Sequence, residues 1–360
     1  EKAVPYTLLV FGVLPWSVAR WPRTSMAYQW FVRALVTVAV TVFFLPSLGS
    51  VVPPTVRDIV FPPDCVANGV VCYQREGFLS LMPLPVGAIL VLLPVAFRRH
   101  QEALEETFML LRGVSLERRY QDWHQRKAKW DRITFAGIWF CTVLSTIVSH
   151  YATWEFREAS SASQVVMHAV LNGVFSGVIL SLAYGMAYIC RSLNIMIDAF
   201  CCDVVGHQVP QEVSRVWNLT QAVLRKASIS VEKSLLVLCV VLAFIVPLLL
   251  VDVGILGTRS APIPRLLPGL MVTIGVLYVL MLAGTISEQC ARVPALINAI
   301  SFGEGMERAR QDTVDYITSS AAGFYVFGMR LTTGVIVKFM YFWCIVVVGL
   351  LTRMGPSGET

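Results

Sequence analysis

Residues 234–251 read SLLVLCVVLAFIVPLLLV, an uninterrupted run of 18 residues without a charged side chain. At 1.5 Å per residue, an α-helix of this length crosses most of a bilayer core of roughly 30 Å. Comparable apolar runs recur along the chain, and the charged residues sit in the stretches between them. Of the 360 residues, 56% are hydrophobic and 14% are charged, whereas about 25% charged residues is usual in a soluble domain. The sequence therefore predicts an integral membrane protein.

The apolar runs predict an all-α membrane protein with seven transmembrane helices. Their expected bounds are 28–50, 78–98, 132–154, 165–198, 233–256, 266–290 and 320–352. The fourth and seventh helices are longer than a bilayer requires, so we expect them to tilt or to continue into the cytosol as helix. Gly173 and Gly177 have the GxxxG spacing that is typical of close helix packing in lipid.

Lys and Arg are divided unevenly between the two sides of the membrane. The segments 1–27, 99–131, 199–232 and 291–319, with flanking residues, carry 19 of the 29 basic residues, against 6 in the opposite segments and 4 within helices. Cytoplasmic loops collect Lys and Arg, so we expect the N-terminus inside. Seven crossings then place the tail 353–360 outside, and the expected location is the plasma membrane.

Sequence motifs for catalysis are missing from this chain. The five histidines show no HExxH pattern or metal-ligand spacing, and there is no G-x-S-x-G elbow, P-loop or GxGxxG motif. We therefore expect no enzyme activity, no metal, no cofactor and no nucleic-acid partner. Cys65 and Cys72 share one polar loop and can form a small disulfide if that loop lies outside the cell. Because the sequence begins at Glu1 without an initiator Met, we expect that the N-terminus was trimmed.

Two charged residues fall inside the last predicted helix. Arg330 and Lys338 both lie within 320–352, with Lys338 near its middle. Charge inside a membrane is costly and often functional. Either these side chains pair with groups on neighbouring helices or they face water. We therefore expect a cavity or pore beside this helix, or its burial in protein.

The same closing segment resembles the C-terminal signature of the insect chemoreceptor superfamily, which contains odorant receptors, gustatory receptors and gustatory receptor-like proteins. The residues that carry the resemblance are Ala321-Ala322-Gly323-Phe324-Tyr325, Leu331, Tyr341-Phe342 and the apolar run Trp343–Leu351. The gustatory signature ends in Gln-Phe, where this chain has Val348-Gly349. The chain is therefore most similar to a gustatory receptor-like protein.

The resemblance implies a homotetrameric, ligand-gated cation channel. The chain would assemble with three further copies of itself among membrane lipids and would conduct permeant cations. The last helix, 320–352, would line a central pore, and 199–319 would contribute helices five and six with cytosolic anchor segments. The peripheral helices one to four, 28–198, would hold a small-molecule ligand in their outer half.

Helical periodicity then selects a face for the pore. If Val347 faces the axis, at 100° per residue a stripe falls within about 40° of it. That stripe contains Ile336, Met340, Trp343 and Leu351, with Thr333 continuing it inward. Lys338 would point about 180° away, into its own subunit or a neighbour. Val347 and Leu351 would form an apolar gate; alternatively, these are ordinary lipid-facing or core-facing residues.

Aromatic and polar residues in the outer halves of helices two to five are candidates for the ligand pocket. This set contains Phe78, His150, Tyr151, Trp154 and Tyr184. Small-molecule sites favour such a mixture. Aromatic residues at a membrane interface also serve simply as anchors, and that alternative applies to Phe78 and Trp154.

Two other functions remain open from the sequence. A seven-helix signalling receptor is disfavoured by the expected inside N-terminus and by the lack of DRY-like and NPxxY-like stretches. A secondary transporter is disfavoured by the odd number of helices and by the lack of an inverted repeat.

Overall fold

The computed structural model describes residues 118–152, 162–206, 210–256, 262–300, 302 and 305–354. Within these ranges the chain is almost entirely helical. The predicted helices 28–50 and 78–98 lie outside the described residues.

Four long helices follow one another along the described chain. They are α1 (Arg118–Ala152), α2 (Ala162–Gly206), α3 (Pro210–Leu256) and α4 (Pro262–Ala299). They contain four candidate membrane spans, at Lys129–Val148, Asn172–Val205, Gln211–Ile245 and Leu267–Ala299. The four helices predicted at 132–154, 165–198, 233–256 and 266–290 are therefore confirmed, with extensions at the ends that were predicted to be cytosolic.

The helix α2 is the centre of the described bundle. Side chains on all sides of it are buried from Phe175 to Ile197, and it packs against α1, α3 and α4. Small residues bring the neighbouring helices close. The indole N–H of Trp139 on α1 donates to the carbonyl of Gly173 at 2.8 Å, and a Cβ on Gly173 would stand 3.2 Å from Val143. Close packing at the first glycine of the GxxxG pair is thus confirmed.

The closing segment is divided where the sequence predicted one helix. After α4 come α5 (Glu307–Ser319), a hairpin of β1 (Tyr325–Val326) and β2 (Met329–Arg330), and α6 (Thr333–Met354). The prediction of a continuous helix over 320–352 is wrong for its first 13 residues. Phe327 and Gly328 have φ values of 50° and 75°, which belong to a tight turn and cannot continue a right-handed helix.

The division changes the place of both charged residues. Arg330 lies in β2 and outside the helix. Lys338 is the sixth residue of α6, about 7.5 Å from its start at 1.5 Å per residue. The predictions that Arg330 is helical and that Lys338 sits near the middle of the helix are wrong.

Candidate functional site

A buried network of polar side chains links three helices of the bundle. Asp131 on α1 is 4% exposed and receives two hydrogen bonds from the guanidinium of Arg191 on α2, one of them at 2.8 Å from Nη2. The hydroxyl of Tyr278 on α4 donates to the same carboxylate at 2.6 Å and accepts a hydrogen bond from Arg191. Charged groups withdrawn from water persist when they are paired and hydrogen-bonded, and this network meets both conditions.

An aromatic cluster covers the network. The ring of Phe135, one turn along α1 from Asp131, lies 5.7 Å from the ring of Tyr184 and 6.0 Å from that of Tyr278, measured between centroids. These separations suit tilted and edge-to-face packing. A mainly apolar wall with a few fixed polar groups is the composition that small-molecule sites favour.

Some buried polar atoms of the bundle, among them Thr273 Oγ1 and Asn172 Oδ1, have no hydrogen-bond partner among the described residues. The Tyr184 hydroxyl lies beside the guanidinium of Arg132. The amide nitrogen of Asn172 does donate to Thr146 Oγ1 across α1 and α2. Buried polar groups are normally satisfied, so these atoms are available to a bound molecule or to the part of the chain outside the description.

The predicted pocket residues do not come together as one site. Tyr184 is buried, as a pocket residue would be, and packs on Phe135. Tyr151 lies 16 residues further along α1, which is about 24 Å of helix. His150 is beside Tyr151 in sequence, and the side chains of both lie outside the description, so the pocket role of these two residues stays a prediction. Phe78 and Trp154 lie outside the described residues, as do Cys65 and Cys72.

One face of α6 is fixed against the chain's own bundle. Ile336 is 4% exposed, and its Cδ1 stands 2.8 Å from the position a Cβ would take on Gly284 of α4. The backbone nitrogen of Thr333 is 2.9 Å from the same position. Met340, one turn beyond Ile336, also packs on the core. Gly284 therefore allows α6 to approach α4 closely and sets the direction in which each α6 residue points.

The predicted pore stripe follows this packed face. Ile336 is buried in its own chain, Thr333, Met340 and Trp343 are half-buried, and Lys338 is exposed. The burial of Ile336 in its own bundle disfavours a place beside a water path, and Met340 lies on the same packed side. The pore roles stay predictions. Val347 and Leu351 lie within α6, but their side chains are outside the description, and the gate stays a prediction.

The opposite face of α6 is exposed among the described residues. At 100° per residue, Lys338 lies 200° and Ile345 180° from Ile336 around the helix. Ile345 is 51% exposed, and Gly334, Lys338 and Tyr341 are exposed too. This set of four residues is called the outer face of α6.

The hairpin before α6 is held by side chains of α3 and α4. The N–H of Phe324 donates to Ser287 Oγ at 3.0 Å, and that of Tyr325 donates to Ser228 Oγ at 3.3 Å. The N–H of Phe327 donates to the carboxylate of Glu232. In return, Arg330 Nη2 donates to the carbonyl of Ser287 at 3.0 Å. These hydrogen bonds connect the start of α6 to both α3 and α4.

Gly323 belongs to the signature Ala321-Ala322-Gly323-Phe324-Tyr325, and the structure gives a reason for a glycine at this position. A Cβ at this residue would stand 2.7 Å from Arg330 Nε and 3.3 Å from Ser287 Oγ. The absence of a side chain lets Arg330 cross over the backbone toward α4. The charge of Arg330 is thus directed into its own chain.

Sequence reasoning missed the Asp131–Arg191–Tyr278 network. The available signal was Arg191, a charged residue inside the predicted helix 165–198, where charge is rarely without function. Asp131 had been placed at the edge of a cytosolic segment. Within the described ranges no group of three His, Cys, Asp or Glu side chains could hold a metal ion.

These features define a class of protein, a multi-pass helical membrane protein whose last helix is joined to the bundle by a hairpin. Scanning against protein-family models gives no match, and a search of curated proteins gives no similar sequence. Solved structures do match. The chain has the fold of the insect olfactory receptors, which confirms the predicted resemblance at the level of fold.

The particular neighbour is the olfactory receptor OR5 of the insect Machilis hrabei. Its structure is 13% identical to this chain, covers 99% of this chain and 97% of its own, and has a TM-score of 0.66. The structure of the same receptor in complex with eugenol is 11% identical over 98% of this chain and 96% of its own, with a TM-score of 0.62. The neighbours are receptors rather than enzymes. Similarity to gustatory receptors in particular stays a prediction.

Proposed function

We propose that the chain is the subunit of a small-molecule-gated ion channel in the plasma membrane, built from four copies with α6 of each around a central water path. The observation that carries the proposal is the fold likeness to an insect olfactory receptor over almost the whole chain. It is supported by the outer face of α6, which is exposed on the single chain and carries a charged residue. The full proposal has seven crossings with the N-terminus inside and the C-terminus outside.

The ligand-binding part of the proposal centres on Tyr184. Its hydroxyl lies beside the guanidinium of Arg132. The hydroxyl of Thr273 is buried without a partner among the described residues, and Phe135 supplies an apolar wall. One of the neighbouring structures contains eugenol, a small aromatic molecule with a hydroxyl group. A ligand of this size and polarity suits the cluster and is the first probe to use.

Coupling would run through the hairpin. A ligand among α1, α2 and α4 shifts the balance between closed and open states only if it binds one of them more tightly. Because Ser287 on α4 holds both Phe324 and Arg330, a displacement of α4 on binding would move the start of α6. Expected partners are three further copies, membrane lipids and the ligand.

The assembly is tested by imaging purified particles and by crosslinking. We expect fourfold symmetry with four α6 helices at the centre. In a background with the exposed cysteines Cys141, Cys202 and Cys344 changed to Ser, Ile345→Cys should form disulfide-linked dimers on oxidation. The matched variant Ile336→Cys, buried against Gly284, should not. Monomeric particles, or equal crosslinking of the two variants, would contradict the proposal.

A further inference from the structure

The apolar parts of α1, α2 and α4 contain an unequal number of positive and negative side chains. Across 131–152, 162–197 and 266–287 the sequence has three residues of the types Asp, Glu, Lys and Arg, and they are Asp131, Arg132 and Arg191. Two of them are positive and one is negative, so one positive charge has no carboxylate of these segments to balance it. A charge withdrawn from water is costly unless an opposite charge or hydrogen bonds compensate it.

The residue left without a counter-charge is Arg132. Both oxygens of the Asp131 carboxylate are engaged, because Oδ2 accepts from Arg191 Nε and Oδ1 accepts from Arg191 Nη2 at 2.8 Å. Oδ1 also accepts from the hydroxyl of Tyr278 at 2.6 Å. A bidentate pair of this kind neutralises both of its members. Among the described residues Arg132 forms no ion pair, and its buried Nε has no hydrogen-bond partner.

The surroundings of Arg132 combine one hydroxyl with an apolar wall. The guanidinium lies beside the hydroxyl of Tyr184 on α2, and Tyr184 is 3% exposed. The ring of Tyr184 packs on that of Phe135 at 5.7 Å between centroids. On the other side of Phe135, Gly275 of α4 leaves room beside Leu180, whose Cδ2 would stand 3.0 Å from a Cβ at the glycine. A cation and a hydroxyl therefore stand at one end of an apolar cluster.

We infer that the ligand of this bundle is a small apolar carboxylic acid, with its carboxylate on Arg132 and Tyr184 and its apolar part against Phe135. The guanidinium presents its N–H donors in a planar fork that matches the two oxygens of a carboxylate, and the tyrosine hydroxyl donates a further hydrogen bond. The bound acid supplies the negative charge that these segments lack. This inference rests on the ligand site of the proposed function and names the class of ligand and the residue that selects it.

The competing explanation is a contact of Arg132 with the surface of the membrane. Its side chain is half-buried, and a long basic side chain can extend to water or to a lipid phosphate. In that case the bundle has no reason to prefer an acid. The two explanations therefore differ in the affinity for two ligands of the same shape and different charge.

The test is the binding of a matched acid and amide to the full chain in a nonionic detergent, measured by isothermal titration calorimetry. The probes are 3-phenylpropanoate, its neutral amide 3-phenylpropanamide, and eugenol. At neutral pH the acid is ionised. Hydrogen bonds to a charged group contribute about twice as much as those between neutral groups. We therefore expect the acid to bind about tenfold more tightly than the amide.

Four variants locate the origin of this preference. Arg132→Gln should make the affinities for acid and amide equal while the amide affinity itself stays unchanged, which also shows that the variant is folded. Arg132→Lys keeps the charge without the planar fork and should retain part of the preference; it carries the test if the glutamine variant does not fold. Tyr184→Phe keeps the ring on Phe135 and should weaken only the acid. Lys129→Gln is the matched control, because it removes the same charge from an exposed position of α1 and should leave the preference intact.

The outcomes separate this inference from the proposed function. Equal affinities for acid and amide, or a preference that Arg132→Gln leaves unchanged, would overturn the acid inference and leave the channel standing. Loss of a co-purified anionic phospholipid in Arg132→Gln, without any preference for the acid, would assign the residue to a lipid headgroup and overturn the inference as well.

Currents in planar bilayers test the channel separately. A preference for the acid that depends on Arg132, with no current under either the acid or eugenol, would support the ligand class and overturn the channel. If none of the three probes binds, the ligand site of the proposed function is overturned, and the acid inference with it.

Discussion

The helices α2 and α6 are both apolar, yet they are buried to opposite extents. Between Phe175 and Ile197, most residues of α2 are buried, and its half-buried Arg191 is paired with Asp131 inside the chain. In α6 only one stripe around Ile336 is buried, and its charged Lys338 is exposed. The partners of α2 therefore lie among the described helices, whereas most of the surface of α6 has no partner among them.

The largest expected effect is at the ion pair between Arg191 of α2 and Asp131 of α1. Asp131→Ala would leave the guanidinium of Arg191 without its carboxylate, and breaking a buried ion pair costs about 3–5 kcal/mol. We expect a clear fall in the thermal unfolding midpoint of the detergent-solubilised protein, followed by tryptophan fluorescence.

Two variants make the reason for that loss testable. The double variant Asp131→Leu/Arg191→Leu should recover most of the stability, because apolar replacement of a whole buried pair is often neutral. Asp312→Ala, at an exposed position on α5, should have little effect. A double variant as unstable as Asp131→Ala would show that the network does more than satisfy its own charges.

The next effect concerns the contact that orients α6. In Gly284→Ala the new Cβ would stand 2.8 Å from Ile336 Cδ1 and 2.9 Å from the backbone nitrogen of Thr333. The backbone cannot yield as a side-chain tip can, and overpacking of this kind costs about 1–3 kcal/mol. We expect a lower unfolding midpoint and a smaller fraction of assembled particles in size-exclusion chromatography.

Gly349→Ala is the matched control for that contact. A Cβ at Gly349 meets nothing within 4 Å in the single chain, and alanine favours a helix more than glycine does. If Gly284→Ala and Gly349→Ala give the same unfolding midpoint and the same fraction of assembled particles, Gly284 does not fix the orientation of α6.

The smallest expected effect is at the hairpin. Ser287→Ala removes the acceptor of the Phe324 N–H, and the loss of one hydrogen bond typically costs about 1 kcal/mol. Hydrogen exchange of peptides covering 320–332 should become faster, with little change in the unfolding midpoint. Ser319→Ala is the control, because its hydroxyl donates only to Tyr316 in its own helix; faster exchange there too would count against a specific role of Ser287.

Hydropathy predicted the helices, because burial of apolar side chains in lipid is decided locally, residue by residue. It did not predict the extension of α3 back to Pro210, because that part carries charge on its outer side and buries only some of its apolar residues, such as Trp217. Nor did it predict the hairpin at Phe327, because an apolar composition suits a turn that is held by hydrogen bonds from other helices as well as it suits a membrane helix.

The orientation of α6 could not be predicted from its own sequence. Periodicity gives the angle between Ile336 and Lys338 but not which of them faces the bundle. That choice depends on Gly284, 52 residues earlier on another helix. The candidate site was missed for the same reason, because Asp131, Arg191 and Tyr278 each come from a different helix and meet only after the bundle has packed.

The main chain of the hairpin contributes several of its attachments to the bundle, beside the buried side chain of Phe324. Three of its N–H groups donate to Ser228, Glu232 and Ser287, while the side chain of Phe327 at the tip is exposed. A main-chain attachment does not depend on which side chains the hairpin carries. The tip can therefore change in size or polarity without displacing the membrane helix that follows, whereas a change at Ser228, Glu232 or Ser287, all distant in sequence, loosens the hairpin directly.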